Sequence, residues 1–269
     1  MSLEQSTDDN VVRGIAAIAV AVFLFSIADA SAKWLGSAGF HASQTVFLRY
    51  LFGLIPVAIA IRHSGGSSLK TGRPFAHILR ALLMCLALLL FFWGLKYLPL
   101  AEAIAVAFTA PLFITALSVP VLGEKVGLHR WGAVAVGFLG MLVMLRPGTA
   151  AFRIEALLVL ASAFTYSLGA LYTRRITSTE TNTAIFTFTT VIAGLAMMPF
   201  AVTTWHHPAP MDLALFLLLG LAGGAAHLLV IVAYRYAPAS VNAPIEYTAL
   251  IWGSLLGWCV DRPPSPDLW

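Results

Sequence analysis

Charge is sparse in this sequence and clusters near the breaks between long apolar stretches, and that pattern limits the possible folds more than any motif does. Nine mostly apolar stretches follow one another, at about 12–35, 42–61, 74–97, 100–122, 129–145, 154–173, 183–204, 212–236 and 239–260. A hydrocarbon core about 30 Å thick takes roughly 20 helical residues at 1.5 Å each, so every stretch is a candidate spanning helix. Turn-forming breaks such as Ser64-Gly65-Gly66-Ser67-Ser68, Arg146-Pro147-Gly148 and His206-His207-Pro208 separate them. Only 10% of the residues are charged, against about a quarter in soluble domains. Strands of a membrane barrel would alternate apolar and polar residues over runs of about ten, and no such runs occur. The expected fold is an all-α polytopic membrane protein.

The net charge of +4 reads as topology, because Lys and Arg are retained on the cytoplasmic side of short loops. Arg13, Arg62, Lys70, Arg73, Arg174, Arg175 and Arg235 share one side if the N-terminus is cytoplasmic, the favoured orientation. No basic stripe with interleaved aromatics suggests nucleic acid. The N-terminal residues are acidic (Glu4, Asp8, Asp9), unlike the basic start of a secretory signal, so the first stretch is expected to stay as a span. Cys85 and Cys259 lie in apolar runs and form neither a disulfide framework nor a zinc site.

The chain resembles itself. Lys96-Tyr97-Leu98-Pro99-Leu100-Ala101 is matched by Arg235-Tyr236-Ala237-Pro238-Ala239-Ser240, and at the same offset Phe108-Thr109-Ala110 meets Tyr247-Thr248-Ala249. Glu124 is echoed by Asp261, and Lys33 by Arg174. A five-helix unit therefore occurs twice, at 1–148 and 149–269. An odd number of spans per unit makes the second copy enter from the opposite side, an inverted repeat with its substrate site between the halves. Nine helices are present, and a tenth is expected after Asp261 but missing, since the sequence ends at Trp269.

Tyr97-Leu98-Pro99-Leu100-Ala101-Glu102-Ala103, Phe108-Thr109-Ala110-Pro111-Leu112-Phe113 and Leu122-Gly123-Glu124-Lys125-Val126-Gly127 resemble the EamA-type family of the drug/metabolite transporter superfamily, as do Ala237-Pro238-Ala239-Ser240 and Glu246-Tyr247-Thr248-Ala249-Leu250. Asp29-Ala30-Ser31-Ala32-Lys33 and Phe47-Leu48-Arg49 are similar to a branch that includes bacterial riboflavin transporters. The resemblance implies ten helices in two inverted halves in a bacterial cytoplasmic (inner) membrane. It also implies alternating-access transport of a small organic metabolite: an amino acid, a vitamin such as riboflavin, or a nucleotide-related or drug-like solute. Proton coupling is a further expectation, and the partners are the solute, the lipid bilayer and a second copy of the chain. No cofactor, metal or catalytic residue is expected.

Ionisable groups inside a membrane cost about 2.5–3.5 kcal/mol each on insertion scales, so those that occur deserve a role. Asp29 and Arg49 lie some way below the outer surface, with Lys33 one turn beyond Asp29. The three either tie the first two helices together or bind a charged part of the solute. His227 and Glu246 lie near mid-depth on consecutive spans, where a His–carboxylate pair either exchanges protons or forms a static interhelical bond. Pro244 beside Glu246 frees backbone groups. Trp93, Phe108, Tyr247 and Trp252, from helices that line the cavity in the resembled family, offer rings for stacking against a flat solute. Arg80 and His77 are read as snorkelling to headgroups. Gly220 and Gly224 are spaced for close helix approach.

The rival class is a membrane-embedded enzyme acting on a lipid or small molecule. The sequence holds no P-loop, no His-Glu-x-x-His and no Gly-x-Ser-x-Gly. The adjacent pair His206-His207 is poorly spaced for a metal. The expectation is a carrier, not an enzyme.

Overall fold

The computed structural model describes residues 2–65, 69–123, 127–145, 153–176, 179–236 and 245–261. Among these the regular elements are all helices: α1 (Ser2–Ser37), α2 (Ala42–Ser64), α3 (Pro74–Tyr97), α4 (Leu100–Ala107), α5 (Ala110–Leu122), α6 (Leu128–Leu145), α7 (Ala156–Ile176), α8 (Asn182–Thr203), α9 (Pro210–Tyr236) and α10 (Thr248–Val260). Seven stretches are long and apolar enough to cross a membrane, with α4 and α5 acting together as one. Two shorter apolar helices, Trp131–Val143 and Thr248–Val260, fall in the remaining expected spans. The chain is a multi-pass membrane protein.

The helix ends follow from local chemistry. Pro74 opens α3, where a missing N–H costs nothing. Thr181 caps α8, its Oγ1 accepting from the Ala184 N–H at 3.1 Å. Gly123 ends α5 in the left-handed region at φ 69°, which a residue with a Cβ adopts only with strain. The fourth expected span breaks at Phe108 and Thr109. Pro111 cannot donate to the carbonyl four residues back and crowds it, which accounts for the break. Thr109 Oγ1 donates to the Val106 carbonyl at 2.7 Å, and Thr248 does the same to Ile245 at 2.6 Å as α10 begins. Thr109 and Thr248, which match in the sequence comparison, thus make the same local bond.

Most packing runs between the two halves of the chain. α1 lies on α9, α2 on α8 and α9, α3 on α7 and α8, and α4 against α10. Close approach of α9 to α2 depends on missing side chains: a Cβ on Gly220 would lie 2.4 Å from Phe52 Cβ, and one on Gly224 2.5 Å from Pro56 Cγ. The outside stays apolar, with Phe75, Val136, Val143 and Leu195 exposed, as a bilayer solvent requires.

Candidate functional site

Packing one half against the other brings the intramembrane charges together. Asp29 on α1 lies within electrostatic reach of the Arg49 guanidinium on α2. Tyr50 and His227 each lie within reach of both Arg49 and Arg80. Tyr166 on α7 connects Arg80 to Glu246 in the same way. The polar set therefore runs from α1 through α2, α3, α7 and α9 to the segment before α10.

Each member is held by its surroundings. Arg49 Cζ lies 5.8 Å from the centroid of the Phe92 ring, a cation–π contact. A Cβ on Gly223 would lie 2.7 Å from Arg49 Nε, so that glycine leaves the guanidinium its room. Arg80 is only 3% exposed. Its Nε donates to Thr173 Oγ1 at 2.6 Å and its Nη1 donates to Thr189 Oγ1. His227 stacks on Phe186, centroids 5.2 Å apart and planes 15° from parallel. Phe108 and Tyr247, each followed by Thr-Ala in the sequence, stack on each other at 5.1 Å and 18°.

The remaining sequence candidates fall elsewhere or pair differently. No ion pair joins His227 to Glu246; ion pairs among the described residues include Lys33–Asp261 and His77–Glu180. Trp252 meets Phe23 edge-on at 4.9 Å between α1 and α10. Trp93 is 44% exposed and lines a separate cleft with Phe40, His41 and Thr45. Lys33 leaves Asp29 and donates to the Leu98, Leu95 and Lys96 carbonyls at 2.6, 3.0 and 3.4 Å, tying down the end of α3. It also lies 3.5 Å from Asp261, whose Oδ2 accepts from the Leu100 N–H at 3.0 Å.

Two expectations fail outright. His77 and Arg80 do not snorkel: both are buried, and His77 Nε2 lies 3.1 Å from Glu180 Oε2. Glu180, in the loop before α8, carries a pKa below the usual carboxylate value. Burial alone would raise it, but hydrogen bonds from His77, Thr71 and the Gly72 backbone and the His77 charge more than offset that. Tyr50, Arg80 and Tyr166 are the members of the central set that sequence reasoning missed. Arg80 alone carried a signal, being a charge inside an apolar run. Pro244, Glu124 and Lys125 lie outside the described residues. Among the described residues no group of three His, Cys, Asp or Glu is placed to hold a metal ion.

A helical bundle with an apolar outside and ionisable side chains gathered between its halves has the build of a membrane transporter. The profile of the EamA-like transporter family matches residues 12–146 and again 153–269, and the chain belongs to that family. It is 28% identical to an S-adenosylmethionine uptake transporter of Rickettsia prowazekii (strain Madrid E) over 247 residues, 92% of this chain and 84% of that one. Identity to a riboflavin transporter of Rhizobium johnstonii is 31% over 253 residues, 91% and 82% of the two chains. A riboflavin transporter of Vibrio cholerae is 27% identical over 250 residues, 91% and 84%. A solved crystal structure, 19% identical with a TM-score of 0.65, shares the fold over 96% of this chain and 91% of the other. The chain is a transporter of small metabolites.

Proposed function

We propose that the chain is a secondary transporter that carries a flat-ringed organic metabolite across the cytoplasmic membrane by alternating access, with Glu246 exchanging a proton as it does so. The observation that carries this reading is the gathering of Asp29, Arg49, Arg80, His227 and Glu246 into one electrostatic set between the halves. Burying so many ionisable groups is costly, and binding and releasing a polar solute is a reason to keep them. The Phe108–Tyr247 stack beside the set offers ring faces to a planar solute. The relatives named for S-adenosylmethionine and riboflavin, both ring-bearing metabolites, favour the same substrate class.

In this reading residues 1–148 and 149–269 are inverted halves, with the N-terminus and the His77 end cytoplasmic and the Lys33 end outside. The packing supports the symmetry. When each span is exchanged for the one five places on, α1 on α9 becomes α7 on α3 and α2 on α9 becomes α8 on α3. The pairs α2 with α8 and α4 with α10 map onto themselves. The double match to one family profile supports it too.

Uptake of labelled S-adenosylmethionine and riboflavin by cells expressing the chain tests the reading. One of the two should accumulate saturably and respond to external pH. Glu246→Gln keeps size and hydrogen bonding but removes titration, so it should insert normally and lose the pH response. His227→Ala should act more weakly. Full pH-dependent uptake in Glu246→Gln would reduce that residue to structural glue.

A further inference from the structure

Arg80 is a buried cation with no counter-ion among the described residues. It is 3% exposed, and the side-chain acceptors it is bonded to are two neutral threonine hydroxyls, Thr173 and Thr189. The ion pairs among the described residues do not include it. Two of its five N–H groups are bonded to those hydroxyls, and a planar fork remains for a further acceptor. Desolvating a guanidinium with only neutral partners is unfavourable, and an anion drawn into the site would relieve it.

Arg49 stands in a comparable position toward the other end. It lies seven residues into α2 from Ala42, and Arg80 six residues into α3 from Pro74. Each is therefore roughly 10 Å in from a helix end at 1.5 Å per residue. Consecutive spans run in opposite directions, so the two cations approach the centre from opposite ends. Tyr50 and His227, within reach of both, lie between them electrostatically. Asp29 already offsets part of the Arg49 charge, whereas Arg80 has no such neighbour among its electrostatic contacts.

We propose that Arg80 binds a carboxylate group of the transported solute, with Arg49 as the station that meets the same group from the opposite end. A carboxylate matches the guanidinium fork with two parallel hydrogen bonds, and its single charge balances that of one arginine. The assignment rests on the carrier reading above and narrows its substrates to metabolites that carry a carboxylate beside a flat ring. Glu246, within reach of Tyr166 on the other side, faces the solute's remaining polar groups.

The test uses phenylacetate and its neutral isostere phenylacetamide as probes of the purified full chain in detergent, read by thermal unfolding at constant ionic strength. Phenylacetate should stabilise the unmutated protein at about tenfold lower concentration than the amide, the size of a charge-assisted pair lost. Arg80→Gln should erase the preference, and Arg80→Lys should restore part of it. Should Arg80→Gln not fold, Thr189→Val, which loosens the guanidinium while keeping its charge, should weaken the preference. Equal responses to the two probes, no response to either, or an undiminished preference in the folded variant overturns the assignment. Saturable uptake of riboflavin, which has no carboxylate, or of S-adenosylmethionine with no carboxylate preference, would refute this inference alone. A carboxylate preference without uptake of either would refute the carrier reading.

Discussion

Single charged side chains hold both ends of this molecule. Lys33 collects three carbonyls that α3 leaves open at its C-terminus, where helix carbonyls lack partners and the dipole favours a cation. Lys33→Met keeps the apolar stem and removes the donor, so it should cost about 1–3 kcal/mol and lower the melting temperature in detergent by several degrees. Asp261→Asn should cost less, because an amide oxygen still accepts from Leu100 and the Asp261 side chain is 28% exposed. An unchanged melt for Lys33→Met would contradict this. At the other end Glu180 has a lowered pKa, so its contribution to stability is complete above its unfolded value, about 4.3, and fades as pH falls through the lower folded one. Wild type should therefore melt above Glu180→Gln near neutrality and converge with it in acid. A constant gap down through the carboxylate range would contradict that. Neither role was legible in the sequence. Counting residues along a helix gives depth in the membrane but not the direction a side chain faces, which is why His77 and Arg80 were misassigned to headgroups and Lys33 to Asp29.

The helices themselves were legible, because spanning runs are set by length and apolarity and both are local properties. What sequence did not show was the interruption at Phe108–Thr109, although Pro111 marks it, nor the ring stack that it lets Phe108 make with Tyr247. Small-residue spacing did announce a close approach by α9, though not that α2 is its partner, and that contact gives a sharp test. A Cβ on Gly220 would lie 2.4 Å from Phe52 Cβ and 3.0 Å from the Arg49 carbonyl oxygen, so the helices must part. Gly220→Ala should cost about 1–3 kcal/mol through overpacking, seen as a lower melting temperature. Gly132→Ala on α6 meets nothing within 4 Å and should be neutral or stabilising, since alanine is the better helix former by about 1 kcal/mol. Equal effects of the two changes would remove close packing as the reason for Gly220.

At the scale of the whole molecule, two sequence-related halves interleave so that most helix contacts join one half to the other. Such an interface is stable only if both halves keep their shape, and it places the charged set where neither half alone could build it. The likeness of the two halves that the profile matches was visible in sequence through Lys96-Tyr97-x-Pro99 and Arg235-Tyr236-x-Pro238. The way the halves interleave was not, since it depends on contacts far apart along the chain. On the proposed reading the central site is exposed to one side at a time, so solute leaving on one side would drive solute entering on the other. Counterflow measures that coupling directly. Proteoliposomes containing the full chain, preloaded with unlabelled S-adenosylmethionine or riboflavin, are diluted into a trace of the labelled compound. Transient accumulation of label above its equilibrium level, absent from protein-free vesicles, is the predicted result for at least one of the two. Entry of both that only approaches equilibrium, or no entry of either, would contradict a carrier that works by alternating access.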